Sequence, residues 1–167
     1  MTAMPEFVTS RQVAAPRDMV FKVFSQTEHL SRWWGPAGLE WVKGEMDFRP
    51  GGRFHYCMRV PNGPEMWGLF LYEEIAQPER VVFINGFSNA EGEFARHPMA
   101  PTWPLQVRNL LTLEEKDGGT LLTLRGSPHN ASALEQQTFA TGFESMRMGF
   151  GGTWDQLDAY LAKLDAG

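Results

Sequence analysis

The sequence predicts a single α+β domain in which two short helices and a run of antiparallel strands precede one long C-terminal helix. Three observations support this fold class. The end of the chain carries a helical apolar stripe, the middle holds alternating strands parted by turns, and the helical segments lie outside that run of strands. Helices kept apart from consecutive strands are typical of α+β folds, whereas a parallel βαβ fold would interleave them.

Length and composition indicate how many domains the chain forms and which classes of protein it does not resemble. A chain of 167 residues fits one domain, and its 43% hydrophobic residues, with twelve Phe and six Trp, can bury a sizeable core. The net charge of −5, without a basic cluster, argues against nucleic-acid binding. There is no apparent signal peptide or membrane-spanning segment, and the single Cys57 cannot form an internal disulfide. We therefore expect a cytoplasmic protein that binds neither nucleic acid nor membrane.

The first part of the chain predicts a strand followed by two short helices. Residues 7–14 alternate in the manner of a strand. Pro16 suits a helix start, where its missing N–H is not needed, and Asp18 then lies near the positive end of the helix dipole. A second helix is expected over residues 27–34, ending at the Gly-Pro pair that follows.

The middle of the chain predicts six strands. In residues 53–60, Phe54, Tyr56, Met58 and Val60 share one face, and Arg53, His55, Cys57 and Arg59 share the other. Turn-forming residues separate the segments. A long loop rich in Gly and Pro is expected at residues 88–104. The predicted strands are 40–48, 53–60, 65–75, 80–87, 105–115 and 120–126.

The C-terminal stripe predicts one helix over residues 138–164. Its apolar residues follow one another at steps of three or four, which is the spacing of one helix face. They are Phe139, Phe143, Met146, Phe150, Trp154, Leu157, Leu161 and Leu164. Gly149, Gly151 and Gly152 lie in the middle of this predicted helix, and each costs about 1 kcal/mol relative to alanine. The favoured explanation is close packing of the backbone against the sheet, and the alternative is a hinge that opens a cavity.

Four motifs, in this order along the chain, resemble a known family. They are WWGP at 33–36, DFRPGGRF at 47–54, PERVVF at 78–83 and GTWDQLDAYL at 152–161. The chain is similar, over roughly residues 8–164, to the Hsp90-ATPase-activator homologue (AHSA1-like) family of the START/Bet v 1-like (SRPBCC) superfamily. This resemblance implies a helix-grip fold, in which a curved antiparallel sheet of about six to seven strands wraps around the C-terminal helix. It also implies that two short helices close one end, and many such domains hold an apolar ligand inside.

A curved sheet and a straight helix do not touch along their whole length, so we expect aromatic side chains to line a pocket between them. Asn85 shares a strand face with Phe83 and Phe87, and Asn109 lies between Val107 and Leu111, so both amides are polar candidates for this pocket. The predicted ligand-binding residues are Trp33, Trp34, Phe54, Tyr56, Met58, Trp67, Phe70, Phe83, Asn85, Phe87, Trp103, Asn109, Phe143, Met146 and Phe150.

The sequence carries no recognisable signature of a metal site, a nucleophile or a bound cofactor. Its four histidines form no metal-binding pair, and there is no G-x-S-x-G elbow, phosphate-binding loop or dinucleotide motif. We expect no metal and no cofactor, and the catalytic residues, if the chain is an enzyme, are unknown.

Three functions remain open. The leading hypothesis is binding of a small apolar or aromatic molecule in the internal cavity. The second is an enzyme of the cyclase, dehydratase or hydrolase type acting on a polyketide-like substrate, for which Glu73, Asn85, His55 and Arg125 are the candidates that could face the cavity. The third is a module that interacts with a chaperone, by analogy with the activators that give the family its name.

Self-association is a further expectation. Apolar residues of the 88–104 loop, namely Phe94, Met99 and Trp103, would pack on a second copy in a homodimer if the loop exposes them.

Overall fold

A computed structural model of the protein describes residues 4–35, 38–97 and 99–166. It consists of a seven-stranded antiparallel sheet with helices on one face, which confirms the α+β class and the helix-grip arrangement. The elements are β1 (Phe7–Val13), α1 (Arg17–Ser25), α2 (Thr27–Leu30), β2 (Glu40–Met46), β3 (Arg53–Arg59), β4 (Glu65–Ala76), β5 (Arg80–Ser88), β6 (Val107–Lys116), β7 (Gly119–Pro128), α3 (Ala133–Thr141) and α4 (Phe143–Ala166).

The sheet has the strand order β1-β7-β6-β5-β4-β3-β2, so the first two strands of the chain form its two edges. Strands β2 to β7 follow one another as an antiparallel meander, and β1 pairs with β7, with Phe7 opposite Gly126. Every strand predicted from alternation is present within a few residues of its expected bounds.

One face of the sheet packs against α4 and is here called the inner face; it carries Phe54, Phe70, Phe83, Leu111 and Leu124. These side chains form one buried cluster with the α4 residues Trp154, Leu157 and Leu161. The opposite side of the sheet is here called the outer face. Because side chains alternate along a strand, the register of the ladder decides which predicted site residues can reach α4.

The C-terminal segment differs from the expected single helix, because α3 and α4 are separate helices that meet at Gly142. Helix α3 begins earlier than predicted, at a capping box in which Ser132 and Glu135 satisfy each other's backbone N–H groups. The apolar stripe continues across the break, since Phe139 and Phe143 are still four residues apart. The predicted helix face is nevertheless the buried face of α4, where Trp154 is 1% exposed.

The three glycines of α4 do not pack closely against the sheet, so the favoured explanation for them was wrong. Helix α4 is continuous through Gly149, Gly151 and Gly152. A Cβ atom built at any of the three would meet no atom within 4 Å outside the helix backbone. Close packing of the helix backbone against the sheet therefore does not explain these glycines. A hinge in α4 that opens a cavity stays a prediction.

The second helix is shorter than expected: α2 ends at Leu30, and turns carry the chain on to Trp33. The buried Trp33 fixes this segment, since its indole Nε1 donates to the Val23 carbonyl of α1 at 3.1 Å. Within the described residues, no helix is both long and apolar enough to cross a membrane.

The 88–104 loop is largely packed on the domain. Phe94 is half-buried and forms an isolated β-bridge with Ser88, and Trp103 packs against Phe139 with ring centroids 5.4 Å apart. Of the three apolar loop residues considered for self-association, Met99 is the exposed one, at 86%. The expected apolar contact surface is thus much smaller than the sequence suggested.

Candidate functional site

Aromatic rings connect the first half of α4 to the inner face of the sheet. Phe70 of β4 stacks on Phe83 of β5 at a centroid distance of 4.6 Å. Trp34, from the turns after α2, contacts Phe70 at 5.3 Å and Phe150 of α4 at 6.4 Å. We call Trp34, Phe54, Tyr56, Phe70, Phe83 and Phe150 the ring cluster. Its edge-to-face and stacked contacts are the arrangements that aromatic pairs prefer.

Two amides form the polar part of the inner face beside this cluster. Asn109 is only 6% exposed, and its Nδ2 donates to Asn85 Oδ1 at 2.7 Å and to the Val107 carbonyl at 3.0 Å. The ladder places Asn85 opposite Phe70 and Asn109 opposite Phe83, so aromatic residues flank the pair. The pair is neutral at every physiological pH, and it offers hydrogen bonds without the cost of burying a charge.

Gly126 of β7 makes room for this pair. It lies opposite Asn109 in the ladder, and a Cβ atom at that position would be 2.9 Å from Asn109 Oδ1. A larger residue here would push the amide away, so the sequence of β7 supports the position of Asn109 on β6.

Tyr56 contributes a hydroxyl to the same face. Its ring lies over Gly68 of β4, where a Cβ atom would come within 2.3 Å of the ring. The hydroxyl accepts a hydrogen bond from Trp34 Nε1 at 3.4 Å. Burial raises the pKa of Tyr56, so the phenol stays protonated and can still donate.

The predicted ligand-binding residues divide into a buried and a half-buried group. Trp33, Phe54, Met58, Phe70, Phe83 and Asn109 are buried. The half-buried group consists of Trp34, Tyr56, Asn85, Phe87, Trp103, Phe143, Met146 and Phe150. Trp103, Phe143 and Met146 belong to a second apolar cluster around Phe7, which shares Phe150 with the main core. Of the half-buried side chains, Phe143, Met146 and Phe150 belong to the first half of α4, and Trp34 contacts Phe150.

Trp67 does not belong to this set, which corrects the prediction. It pairs with Cys57 in the ladder and lies on the outer face, where its ring stacks on His55 at 4.9 Å and Lys43 Nζ lies 5.2 Å from its centroid. Trp67 and Phe70 are three residues apart on one strand, so they must point to opposite faces.

The ionisable candidates for catalysis also lie away from the ring cluster. Glu73 forms an exposed ion pair with Arg108 at 2.8 Å, and Arg125 forms another with Glu6 at 3.1 Å. His55 lies on the outer face, with Nε2 3.0 Å from the Asn89 carbonyl. Of the four candidates, only Asn85 lies on the inner face.

Cys57 lies outside the ring cluster, beside Trp67 in the ladder. Burial is the main cause that raises the pKa of the Cys57 thiol to about 11, and a hydrogen bond to Glu65 is the second cause. Little thiolate is therefore present at neutral pH. In the part of the chain that the structure describes, no three His, Cys, Asp or Glu side chains are grouped in a way that could hold a metal ion.

Two recesses that open to solvent are described here, and neither lies between the sheet and α4. One, of about 680 Å³, is on the outer face around Trp67 and His55. The other, of about 490 Å³, lies between Arg32 and the last turns of α4. The rings of Trp34, Phe70 and Phe150 are in contact between the sheet and the first half of α4.

Sequence reasoning missed the residues that attach the turn after α2 to α4. Gln156 Nε2 donates to the Gly35 carbonyl at 2.7 Å, and Thr153 Oγ1 donates to the same carbonyl at 3.1 Å. Both residues belong to the 152–161 motif and Gly35 to the 33–36 motif. Nothing in either motif indicates that the two segments touch, and their contact appears only in the structure.

Comparison with known proteins agrees with this architecture. The family described as "Activator of Hsp90 ATPase homolog 1-like protein" matches residues 14–162. A crystal structure of a protein from Mycobacterium smegmatis has 25% identity and a TM-score of 0.75, with 96% of each chain covered. One from Nitrosomonas europaea has 22% identity and a TM-score of 0.75 over 100% of both chains.

A third solved structure, from Rhodobacter sphaeroides, has only 16% identity but a TM-score of 0.77, covering 98% of this chain and 97% of the other. At such identities the likeness shows the fold alone. The chain matches no curated protein. Because the family match spans nearly the whole chain and the helix-grip architecture agrees with it, the chain belongs to the activator of Hsp90 ATPase homologue family.

Proposed function

We propose that the protein binds a small, uncharged, largely apolar or aromatic molecule between the inner face of the sheet and the first half of α4. The observation that carries this proposal is the neutral Asn85–Asn109 pair among aromatic rings. Apolar sites with a few convergent polar groups are typical of small-molecule binding.

The hydrogen-bonding capacity of the pair supports a ligand with one polar group. Asn109 uses both of its N–H donors within the protein, but Asn85 Nδ2 makes no hydrogen bond to any described residue. The Tyr56 hydroxyl accepts from Trp34 and keeps its own proton. A ligand carbonyl or hydroxyl group could therefore accept from Asn85 or Tyr56. A charged ligand is disfavoured, since none of these three side chains carries a compensating charge.

Binding at this position requires side chains to move. The half-buried Trp34 and Phe150 contact each other across the proposed site, so the ligand would replace their contact. Rotamer changes of this kind are common on binding, while the backbone moves little. Met146 on the same side of α4 is half-buried and flexible, which suits a site that adapts to its ligand.

The test uses N-phenyl-1-naphthylamine, a neutral aromatic dye whose fluorescence rises in apolar surroundings. We expect saturable binding to the wild-type protein. Trp34→Leu should weaken it about tenfold, because a ring contact is lost. The matched control is Trp67→Leu, which makes the same change on the outer face and should leave the affinity unchanged. Equal effects of the two substitutions, or no saturable binding at all, would refute the proposal.

The other two functions have weaker support. For an enzyme, three of the four candidate side chains lie on the surface or the outer face. Chaperone interaction, a homodimer and a cytoplasmic location stay predictions. Light scattering would test the homodimer and cell fractionation the location.

A further inference from the structure

A second recess lies on the far side of the molecule's helical layer, where α4 passes the turns that follow α2. Its volume is about 490 Å³, and it is lined by Arg32, Gln156, Ala159, Tyr160 and Lys163. Two of these five side chains are cations and none is acidic. In a chain with a net charge of −5, this is a local excess of positive charge.

The polar groups of this recess are held in place by neighbouring elements. The Tyr160 hydroxyl is 2.6 Å from Nδ1 of His29, a residue of α2. Gln156 Nε2 is fixed by the Gly35 carbonyl at 2.7 Å. Tyr160 and Gln156 are half-buried, whereas Arg32 and Lys163 are exposed at the rim. The recess thus combines a positioned hydroxyl with two cations in its lining.

We propose that this recess binds the phosphate or carboxylate group of a small soluble molecule. Arg32 would donate through its planar guanidinium and Lys163 through its ammonium group. When His29 Nδ1–H donates to the Tyr160 oxygen, the Tyr160 hydroxyl proton is free to donate to the anion as a third ligand. This anion site is separate from the ring cluster and does not depend on the function proposed there.

A simpler role for the two cations makes a different prediction. Lys163 lies in the last turn of α4, and Arg32 follows α2 closely. In the simpler role, each cation does no more than stabilise the negative end of its helix dipole. That role would be independent of any added anion. It also does not involve the hydrogen bond between Tyr160 and His29.

The experiment is a titration of the full chain with inorganic phosphate at constant ionic strength, made up with chloride. Nuclear magnetic resonance follows the ring signals of His29 and Tyr160, and a parallel series uses acetate as the carboxylate. We expect saturable shifts at both rings with millimolar affinity. The His29 nitrogen signals should move toward the form that carries hydrogen on Nδ1, which a purely structural role of the cations would not produce.

Three substitutions and one control decide the outcome. Arg32→Gln and Lys163→Gln should each weaken phosphate binding about tenfold, since each removes a charge-assisted hydrogen bond. Tyr160→Phe removes the hydroxyl but keeps the aromatic ring. It should weaken phosphate binding too, and it should abolish the phosphate-dependent shift of the His29 nitrogen signals. Lys116→Gln, on the β6–β7 hairpin, removes an exposed lysine elsewhere and should change nothing.

Two results would overturn the proposal. One is the absence of saturable shifts with both anions, or shifts that the Arg32 and Lys163 substitutions leave intact. The other is cosedimentation with vesicles containing an anionic phospholipid that both substitutions abolish, which would assign the phosphate to a membrane lipid. We expect no cosedimentation, because the recess is small and its one exposed apolar lining residue, Ala159, is too short to insert into a membrane.

Discussion

Replacing Gly149, Gly151 and Gly152 together with alanine should stabilise the protein. The three positions are inside a continuous helix, and a Cβ atom at each would meet nothing within 4 Å. The substitution therefore has no steric cost, and it lowers the conformational entropy of the unfolded chain.

The size of the effect follows from helix propensity. Each Gly→Ala change in a helix interior contributes about 1 kcal/mol, so the triple variant should gain roughly 3 kcal/mol. For a chain of this length, that gain corresponds to a rise in Tm of roughly 6–12 °C. Urea denaturation measures the free energy of unfolding, and its slope m should stay unchanged.

A matched control comes from β4. Gly68→Ala introduces the same methyl group where it would lie 2.3 Å from the Tyr56 ring, and it should lower stability by about 1–3 kcal/mol. If the triple alanine variant were less stable than wild type, the reasoning about open space around α4 would be wrong.

The same variant tests the hinge. If the glycines let the first half of α4 open for a ligand, the stabilised protein should bind N-phenyl-1-naphthylamine more slowly. Unchanged association kinetics would leave the hinge without support and would indicate that the glycines only weaken the helix.

Three further predictions concern single residues. Cys57 should react slowly with a thiol reagent at pH 8, because folding raises the pKa of its thiol from 9.0 to about 11. The stability that the protonated thiol contributes is therefore present below pH 9 and is lost as the pH rises toward 11. Cys57→Ala should remove that alkaline slope from the urea-unfolding profile. Arg11→Gln breaks the ion pairs of β1 with Asp155 at 3.0 Å and Asp158 at 2.7 Å, and should cost about 1 kcal/mol, less in high salt. A cost independent of salt would exclude an electrostatic role. Trp154→Ala removes a side chain that is 1% exposed and should cost about 3–5 kcal/mol in calorimetry, whereas a much smaller loss would mean that the neighbouring rings collapse into the space.

Alternation in the sequence was enough to predict the strands and most of their faces. Phe54 and Tyr56 lie on the inner face, as their spacing indicated, and His55 lies on the outer one. The same rule could have placed Trp67, because it lies three residues before Phe70 and an odd separation puts two side chains on opposite faces of a strand.

The break at Gly142 was hidden by the stripe itself. Phe139 and Phe143 keep a spacing of four across the break, so the periodicity continues although the helix does not. The capping box of Ser132 and Glu135 was the local signal that a separate helix begins before the stripe.

The open or filled state of the interior could not be predicted from spacing. It depends on the rotamers of Trp34 and Phe150 and on the distance between α4 and the sheet, and neither quantity has a sequence pattern. The recess at Arg32 and Lys163 was unpredictable for a related reason. Its residues come from segments more than a hundred positions apart, and the contact between these segments appears only in the structure.

The pairing of β1 with β7 has a consequence for synthesis of the chain. Phe7 finds its partner in Gly126, so an emerging N-terminal strand has no ladder to join until most of the polypeptide has left the ribosome. Contacts between such distant positions slow folding, because a large loop must close before they form. During that interval the unpaired backbone groups of β1 can form non-native hydrogen bonds with another strand, from the same chain or from a different one. Nascent chains truncated before β7 should therefore be the ones that most need a chaperone.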